Sequence, residues 1–322
     1  MSMGIFRKIK RMFLPNYFIA LQKNIDELYA INREQARMLQ DLSAKLEETF
    51  WYISRNEVKT ETLRAMWTAE NMSKYEDISD SKLYRHIKGL RDLLKTKRPV
   101  GKKLIRTGRS TDGGYVMLDD LASCRVAYSF GISDDVSWDK SMAELGMDVY
   151  MYDHTIDGLP EENPHFHWHK TGLAGSYDGS MTELETLPRL LEANGHVGER
   201  NMILKMDIEG AEWDVFAKLP QGFLGKFDQI LLELHDMILP ERYQEIVQAL
   251  EKLNETHQLA HVHGNNCAPY LMAKGLVMPN ALECLYVSKD KYQFKKDETF
   301  YPDELDTRND DRFPDIMMGR WG

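Results

Sequence analysis

From Arg125 onward, short apolar runs alternate with stretches of helical spacing, and this alternation leaves few folds open. The runs are Arg125–Phe130, Val149–Tyr152, the alternating HFHWHK beginning at His165, Met202–Met206, Ile230–Leu234, Gln258–Val262 and Leu282–Val287. Between them, Ser137–Leu145, TELETLPRLL and ERYQEIVQALEKLNET have the spacing of amphipathic helices. Strands separated by helices pair in parallel, because the crossover helix returns the chain to the same end of the sheet. The expected fold class is therefore α/β, with a mostly parallel sheet covered on both faces. Just upstream, KKLIRTGRSTDGGYVMLDD predicts two short strands around a turn at Asp112–Gly114.

The region before this core has a different pattern. Ile5, Phe6, Ile9, Met12 and Phe13 share one helical face, with Arg7, Lys8, Lys10 and Arg11 mostly between them. Such a basic amphipathic segment, residues 1–18, suits either an anionic membrane surface or the protein's own body. Over residues 19–57, Leu21, Ile25, Leu28, Asn32, Gln35, Leu39, Leu42, Leu46, Thr49 and Ile53 recur in steps of four and three. This heptad spacing predicts a coiled-coil helix and a homo-oligomer, with Asn32 at a core position that fixes register. An antiparallel helix packed on the domain is the alternative. Residues 58–99 form a helical linker or lid region, in which Leu83, Ile87, Leu90 and Leu94 mark a helix closed by Pro99. Residues 100–322 are the expected catalytic domain.

Charge and cysteine content narrow the class. The formal net charge is -10, which disfavours nucleic acid as a partner because phosphate binding needs a basic surface. Cys124, Cys267 and Cys284 form no paired framework, as in a reducing compartment. With no signal-peptide pattern and no apolar run long enough to span a bilayer, the expectation is a cytoplasmic protein, with peripheral contact at the inner face of the cell membrane through residues 1–18.

Polar residues cluster where the runs end. Gly131 follows the first strand, and Asp153 follows the second about 20 residues later, where an acid can accept both hydroxyls of an adenosine ribose. The turn after Gly131 holds Ser133, Asp134 and Asp135. An acidic turn repels a pyrophosphate but suits a ligand with a cationic head, such as the sulfonium and amino groups of S-adenosylmethionine. Asp134 and Asp135 can instead cap the helix at Ser137. In this architecture the loop after the third strand faces adenine, which nominates Leu173, Ala174 and Asp178.

Further along, Ile203, Lys205 and Asp207 share one side of their strand, and Glu233 and His235 share one side of the next. A buried Lys205 needs a partner, and Glu233 is the expected one, as a structural ion pair. Asp207, His235 and His263 fall at the carboxyl ends of strands, where open α/β sheets bind ligands. They are the catalytic candidates, with His263 or His235 as the base that removes a hydroxyl proton. The same three residues are candidate ligands for a divalent metal. Loop capping would explain any of them without function. Glu209 and Glu212 fit the first turn of a helix.

The segment LKMDIEGAEWDVF resembles the signature of FkbM-type S-adenosylmethionine-dependent methyltransferases. DGGYVMLDD, AYSFGISDDVSWD, LLELHD and HVHGNN extend the resemblance over Leu104–Tyr292, toward a related branch of that family. It implies a class I methyltransferase, a Rossmann-like fold of seven strands with the last antiparallel. By this pattern Gly131, Ser133 and Asp134 would border the methionine part of the cofactor, and Asp153 would hold its ribose. Asp207 would lie beside the transferred methyl, and Tyr115 and Ala174 complete the cofactor-binding candidates. Family members are usually O-methyltransferases, many of them acting on polysaccharides, glycolipids or natural products. A glycan or glycolipid hydroxyl is thus the expected acceptor. One alternative is a nicotinamide-dependent oxidoreductase, which would need a phosphate-binding glycine-rich turn. A second is a non-catalytic scaffold with a degenerate cofactor domain. A base methyltransferase would carry an Asn/Asp-Pro-Pro-aromatic motif, which is absent from the sequence.

Overall fold

A computed structural model describes residues 82–176 and 183–322, all within the unit Val58–Gly322. The basic segment, the coiled coil and Asp178 lie outside the described residues.

Seven strands form the central sheet: β1 (Val126–Phe130), β2 (Asp148–Tyr152), β3 (Phe166–His169), β4 (Met202–Met206), β5 (Phe227–Leu234), β6 (His257–Gly264) and β7 (Leu282–Ser288). Their spatial order is β6-β7-β5-β4-β1-β2-β3. The pairs β1–β2, β1–β4, β2–β3 and β4–β5 are parallel, whereas β7 runs antiparallel to both β5 and β6. This is a Rossmann-like class I methyltransferase fold. The chain order reverses between β1 and β4, so a crevice opens at their carboxyl ends.

Five helices are described: α1 (Lys82–Leu93), α2 (Ser137–Glu144), α3 (Leu187–Ala193), α4 (Glu212–Lys218) and α5 (Tyr243–Thr256). Two cores result from the two faces of the sheet. On one, Met202, Leu204 and Met206 of β4 pack with Trp213 and Phe216 of α4 and with Ile246 and Leu250 of α5. On the other, Ala127, Ile203 and Leu231 pack with Trp138 and Met142 of α2 and with Met117 and Leu118. The alternation within β4 produces this division, since successive side chains point to opposite faces.

A hairpin, Leu104–Thr107 with Tyr115–Leu118, covers the second face. Gln229 of β5 holds it there: the Leu118 N–H donates to Gln229 Oε1 (2.8 Å), and Gln229 Nε2 donates to the Leu118 carbonyl (3.2 Å). This places Tyr115 over the end of β4.

Two local expectations are corrected. TELETLPRLL is not helical throughout: Leu184–Glu185 pair with Gly172–Leu173 as short strands, and the helix begins only at Leu187, with a proline in its first turn. The fifth strand begins at Phe227 rather than Ile230, because the buried polar Asp228 and Gln229 belong to it.

Candidate active site

A cavity of about 340 Å³ opens at the β1/β4 switch point, within the size range of small-molecule sites. Tyr115, Gly131, Ser133, Asp134, Asp153 and Asp207 line it, together with Phe130, Tyr152, Leu173 and Ile208. Ala174 does not line it; its N–H donates to the Glu185 carbonyl, and Gly172 and Leu173 form the wall instead.

Gly131 has φ +76, and a Cβ there would collide with the carbonyl oxygen of Asp207. The glycine thus serves the close approach of two strand ends, not only that of a ligand. The Asp207 N–H donates to the Phe130 carbonyl (3.0 Å), which joins the ends of β1 and β4. Two non-glycine residues on the cavity wall, Ser133 (φ 51) and Glu209 (φ 54), take the left-handed backbone conformation. Such residues cost about 1–3 kcal/mol and persist only where the surroundings hold them.

Asp153 holds the first of these turns. Its Oδ2 accepts from the N–H groups of Ile132 (2.9 Å) and Ser133 (3.0 Å), and its Oδ1 accepts from the N–H (2.8 Å) and hydroxyl (2.6 Å) of Thr155. Burial alone would raise this carboxyl, but the bonds from Ser133, Thr155 and Ile132 outweigh it and hold the group below its ordinary range. A carboxylate has roughly four acceptor positions, so a ribose hydroxyl must take one that Thr155 now occupies.

The acidic turn divides its work. Asp135 caps α2, accepting from the Ser137 N–H (3.2 Å) and hydroxyl (2.9 Å). Asp134 is exposed at the cavity and makes no such bond. Arg109 also lines the cavity, 3.5 Å from Asp135.

Lys205 is not paired with Glu233. Its Nζ donates to the Gly131 carbonyl (2.9 Å) and lies over the Tyr115 ring, 5.5 Å from the centroid. Glu233 instead accepts from Asn265 Nδ2 (2.7 Å).

Asp207 and His235 do come together, with His235 Nε2 3.9 Å from Asp207 Oδ1. Glu209 (3.5 Å) and Glu233 (3.7 Å) approach the same nitrogen. His235 Nδ1 meets Glu212 Oε1 at 3.2 Å, and that oxygen also accepts from the Ile208 N–H (2.9 Å). Glu212 therefore does more than sit in a helix's first turn, since it also orients His235. Burial would lower the His235 pKa, but the Glu212 bond and the charges of Glu233, Glu212 and Asp207 raise it to about 10. At neutral pH the ring is an imidazolium with no lone pair to act as a base. Asp207 moves the other way: burial lifts it to about 6, against the nearby charges of Lys205 and His235. Burial, then the charge on Asp207, also pushes Glu233 well above its ordinary value.

His263 does not join this group. It is buried between Glu283 (Nδ1 to Oε2, 2.9 Å) and Asp315 (Nε2 to Oδ1, 3.0 Å), outside the cavity lining. Burial opposes its charge, and the two carboxylate bonds overcome this and raise its pKa to about 10. The expected convergence of Asp207, His235 and His263 is replaced by Asp207, Glu233 and His235, whose ligand-capable atoms lie within 4.8 Å of one another. This set fits a divalent cation once the His235 ring gives up a proton to it, because Glu212 on Nδ1 leaves Nε2 facing the two carboxylates.

The cavity combines aromatic and apolar walls with carboxylates and no run of phosphate-binding amides on a glycine-rich turn. That chemistry fits an aromatic base and a cationic head. A known family, described as a methyltransferase domain, matches residues 100–269, more than half of the chain. The chain belongs to this methyltransferase family. A comparison with curated proteins found no match.

The matched range of the methyltransferase contains every cavity residue named above. The structure adds Arg109, Glu233 and Glu212 to the site. Arg109 stands in the TGRSTDGG turn, and that turn was the available signal. In the sequence Glu233 reads as the partner of Lys205 and Glu212 as an acid of a helix's first turn.

Proposed function

We propose that the protein is an S-adenosylmethionine-dependent O-methyltransferase of the FkbM-like branch, acting on a hydroxyl of a glycan or glycolipid precursor. The observation that carries this reading is the position of Asp207. Its carboxyl, with a pKa of about 6, stands at the end of β4 on the wall of the switch-point cavity. The ordered motifs from DGGYVMLDD to HVHGNN support the finer family branch and the acceptor class.

S-adenosylmethionine supplies an activated methyl group. Asp153 and Thr155 would hold the ribose, with the Thr155 hydroxyl yielding one acceptor position. Phe130, Tyr152 and Leu173 offer a surface for the adenine, and Asp134 faces the cationic methionine amino group. Asp207 accepts the proton of the acceptor hydroxyl, since a base tuned near working pH transfers protons best. The His235 imidazolium keeps Asp207 ionised and in place. Aligning the two reactants is worth up to about 7–11 kcal/mol of barrier. Calorimetry with S-adenosylhomocysteine and NAD, followed by isotope transfer to glycolipid extracts, tests the reading. Saturable heat with the first ligand alone supports it, and heat with NAD alone overturns it.

A second reading follows from Asp207, Glu233 and His235. These residues would hold a divalent cation that lowers the pKa of the acceptor hydroxyl. Loss of transfer on chelation, restored by magnesium or manganese, would favour it over Asp207 acting alone.

The sequence supports three further parts of this proposal: a cytoplasmic location, a homo-oligomer through residues 19–57, and peripheral membrane contact through residues 1–18. Liposome flotation of the intact chain against one lacking residues 1–18 tests the membrane contact. Equal flotation removes it.

A further inference from the structure

Against β6, the C-terminal segment brings two aspartates up to His261. The His261 side chain is 3% exposed, and its Nε2 has no hydrogen-bond partner. That nitrogen faces Asp306 Oδ1 at 3.2 Å and Asp303 Oδ1 at 3.6 Å. The Asp306 side chain is 0% exposed, and its Oδ1 is likewise without a hydrogen bond. Other bonds fix the carboxylates in this orientation. Asp306 Oδ2 accepts from the Asp303 N–H (2.7 Å), Asp303 Oδ1 from the Leu305 N–H (2.9 Å), and Asp303 Oδ2 from Arg98 (2.9 Å).

Here a buried ring nitrogen and a buried carboxylate oxygen face each other at ion-pair distance, without hydrogen-bond geometry and with no other hydrogen-bond partner. One ligand atom from each of His261, Asp303 and Asp306 lies within 4.8 Å of the others. Tetrahedral zinc, with bonds of about 2.0–2.2 Å, holds its ligands about 3.3–3.6 Å apart. The 3.6 Å nitrogen–oxygen separation falls within that spacing and the 3.2 Å one just below it.

We propose that His261, Asp303 and Asp306 form a structural site for a divalent first-row metal ion, zinc by its ligands and spacing, that fastens the C-terminal segment to β6. The site is separate from the cavity and independent of the function proposed above. Its consequence reaches the cavity through the same segment. Asn309 donates to Asp112 (3.0 Å) and to Glu283 (2.5 Å), and Asp315 meets His263.

The test uses the full-length chain, stripped with a chelator and returned to zinc, with metal content and melting temperature as readouts. The expected result is one zinc per chain that Asp207→Asn retains and that both His261→Gln and Asp306→Asn lose. Stripping should lower the melting temperature, and zinc should restore it. Cobalt in place of zinc in the wild-type chain should give the visible absorption of a tetrahedral site, a readout that needs no variant to fold. A wild-type chain that takes up no zinc, or zinc that Asp306→Asn keeps and Asp207→Asn loses, overturns the proposal. A cobalt spectrum without tetrahedral bands also overturns it.

Discussion

Asp207 occupies the point where burial and charge oppose each other most directly. Burial favours the neutral acid, with Glu209 and Glu212 adding to it, and Lys205 and His235 favour the anion, leaving the group near pH 6. If the ionised form is the working one, transfer should rise with pH through about 6 and level above it. A kcat/KM profile with its acid limb in that region checks this, and a limb near 10 would point to His235 instead. Asp207→Asn should lower kcat by roughly 10²–10⁴-fold while S-adenosylhomocysteine still binds. His263 lies outside the cavity, and its expected contribution is to stability. Its pKa rises from 6.5 to about 10 on folding, so its contribution is complete below pH 6.5 and is lost as pH rises through about 10. The melting temperature should fall across that window, and His263→Gln should flatten the fall while lowering stability by a few kcal/mol.

At the scale of elements, the joint between β1 and β4 is the critical one. Gly131→Ala would drive a methyl group into the Asp207 carbonyl while also straining a left-handed backbone position. A loss of more than about 3 kcal/mol is expected in a denaturant titration. The strands themselves were legible in the sequence, because buried parallel strands appear as short apolar runs with turn residues after them. Gly131, Asp153 and Asp207 could be placed at strand ends for the same reason. The partners of Lys205, His235 and His263 could not. Lys205 turns to a backbone carbonyl, which no residue pattern reports. His263 is held by Asp315, 52 residues along the chain, on a segment with little regular structure. Periodicity gives the direction of a side chain but not what a distant segment brings to it.

At the scale of the whole molecule, the sheet presents a cofactor-sized cavity at its switch point, and a C-terminal segment braces the neighbouring strands. The net charge of -10 is concentrated in part at this crevice, where Asp134, Asp135, Asp153, Asp207 and Glu209 all line the cavity. A cationic ligand should therefore bind more weakly as salt rises. The most direct measurement is a calorimetric titration of the purified full-length chain with S-adenosylhomocysteine, with NAD as the comparison. The account predicts one site per chain for S-adenosylhomocysteine, weakened at least tenfold by Asp153→Ala and nearly unchanged by His263→Gln, with no heat from NAD. A folded chain that binds NAD, or neither nucleotide, would contradict it.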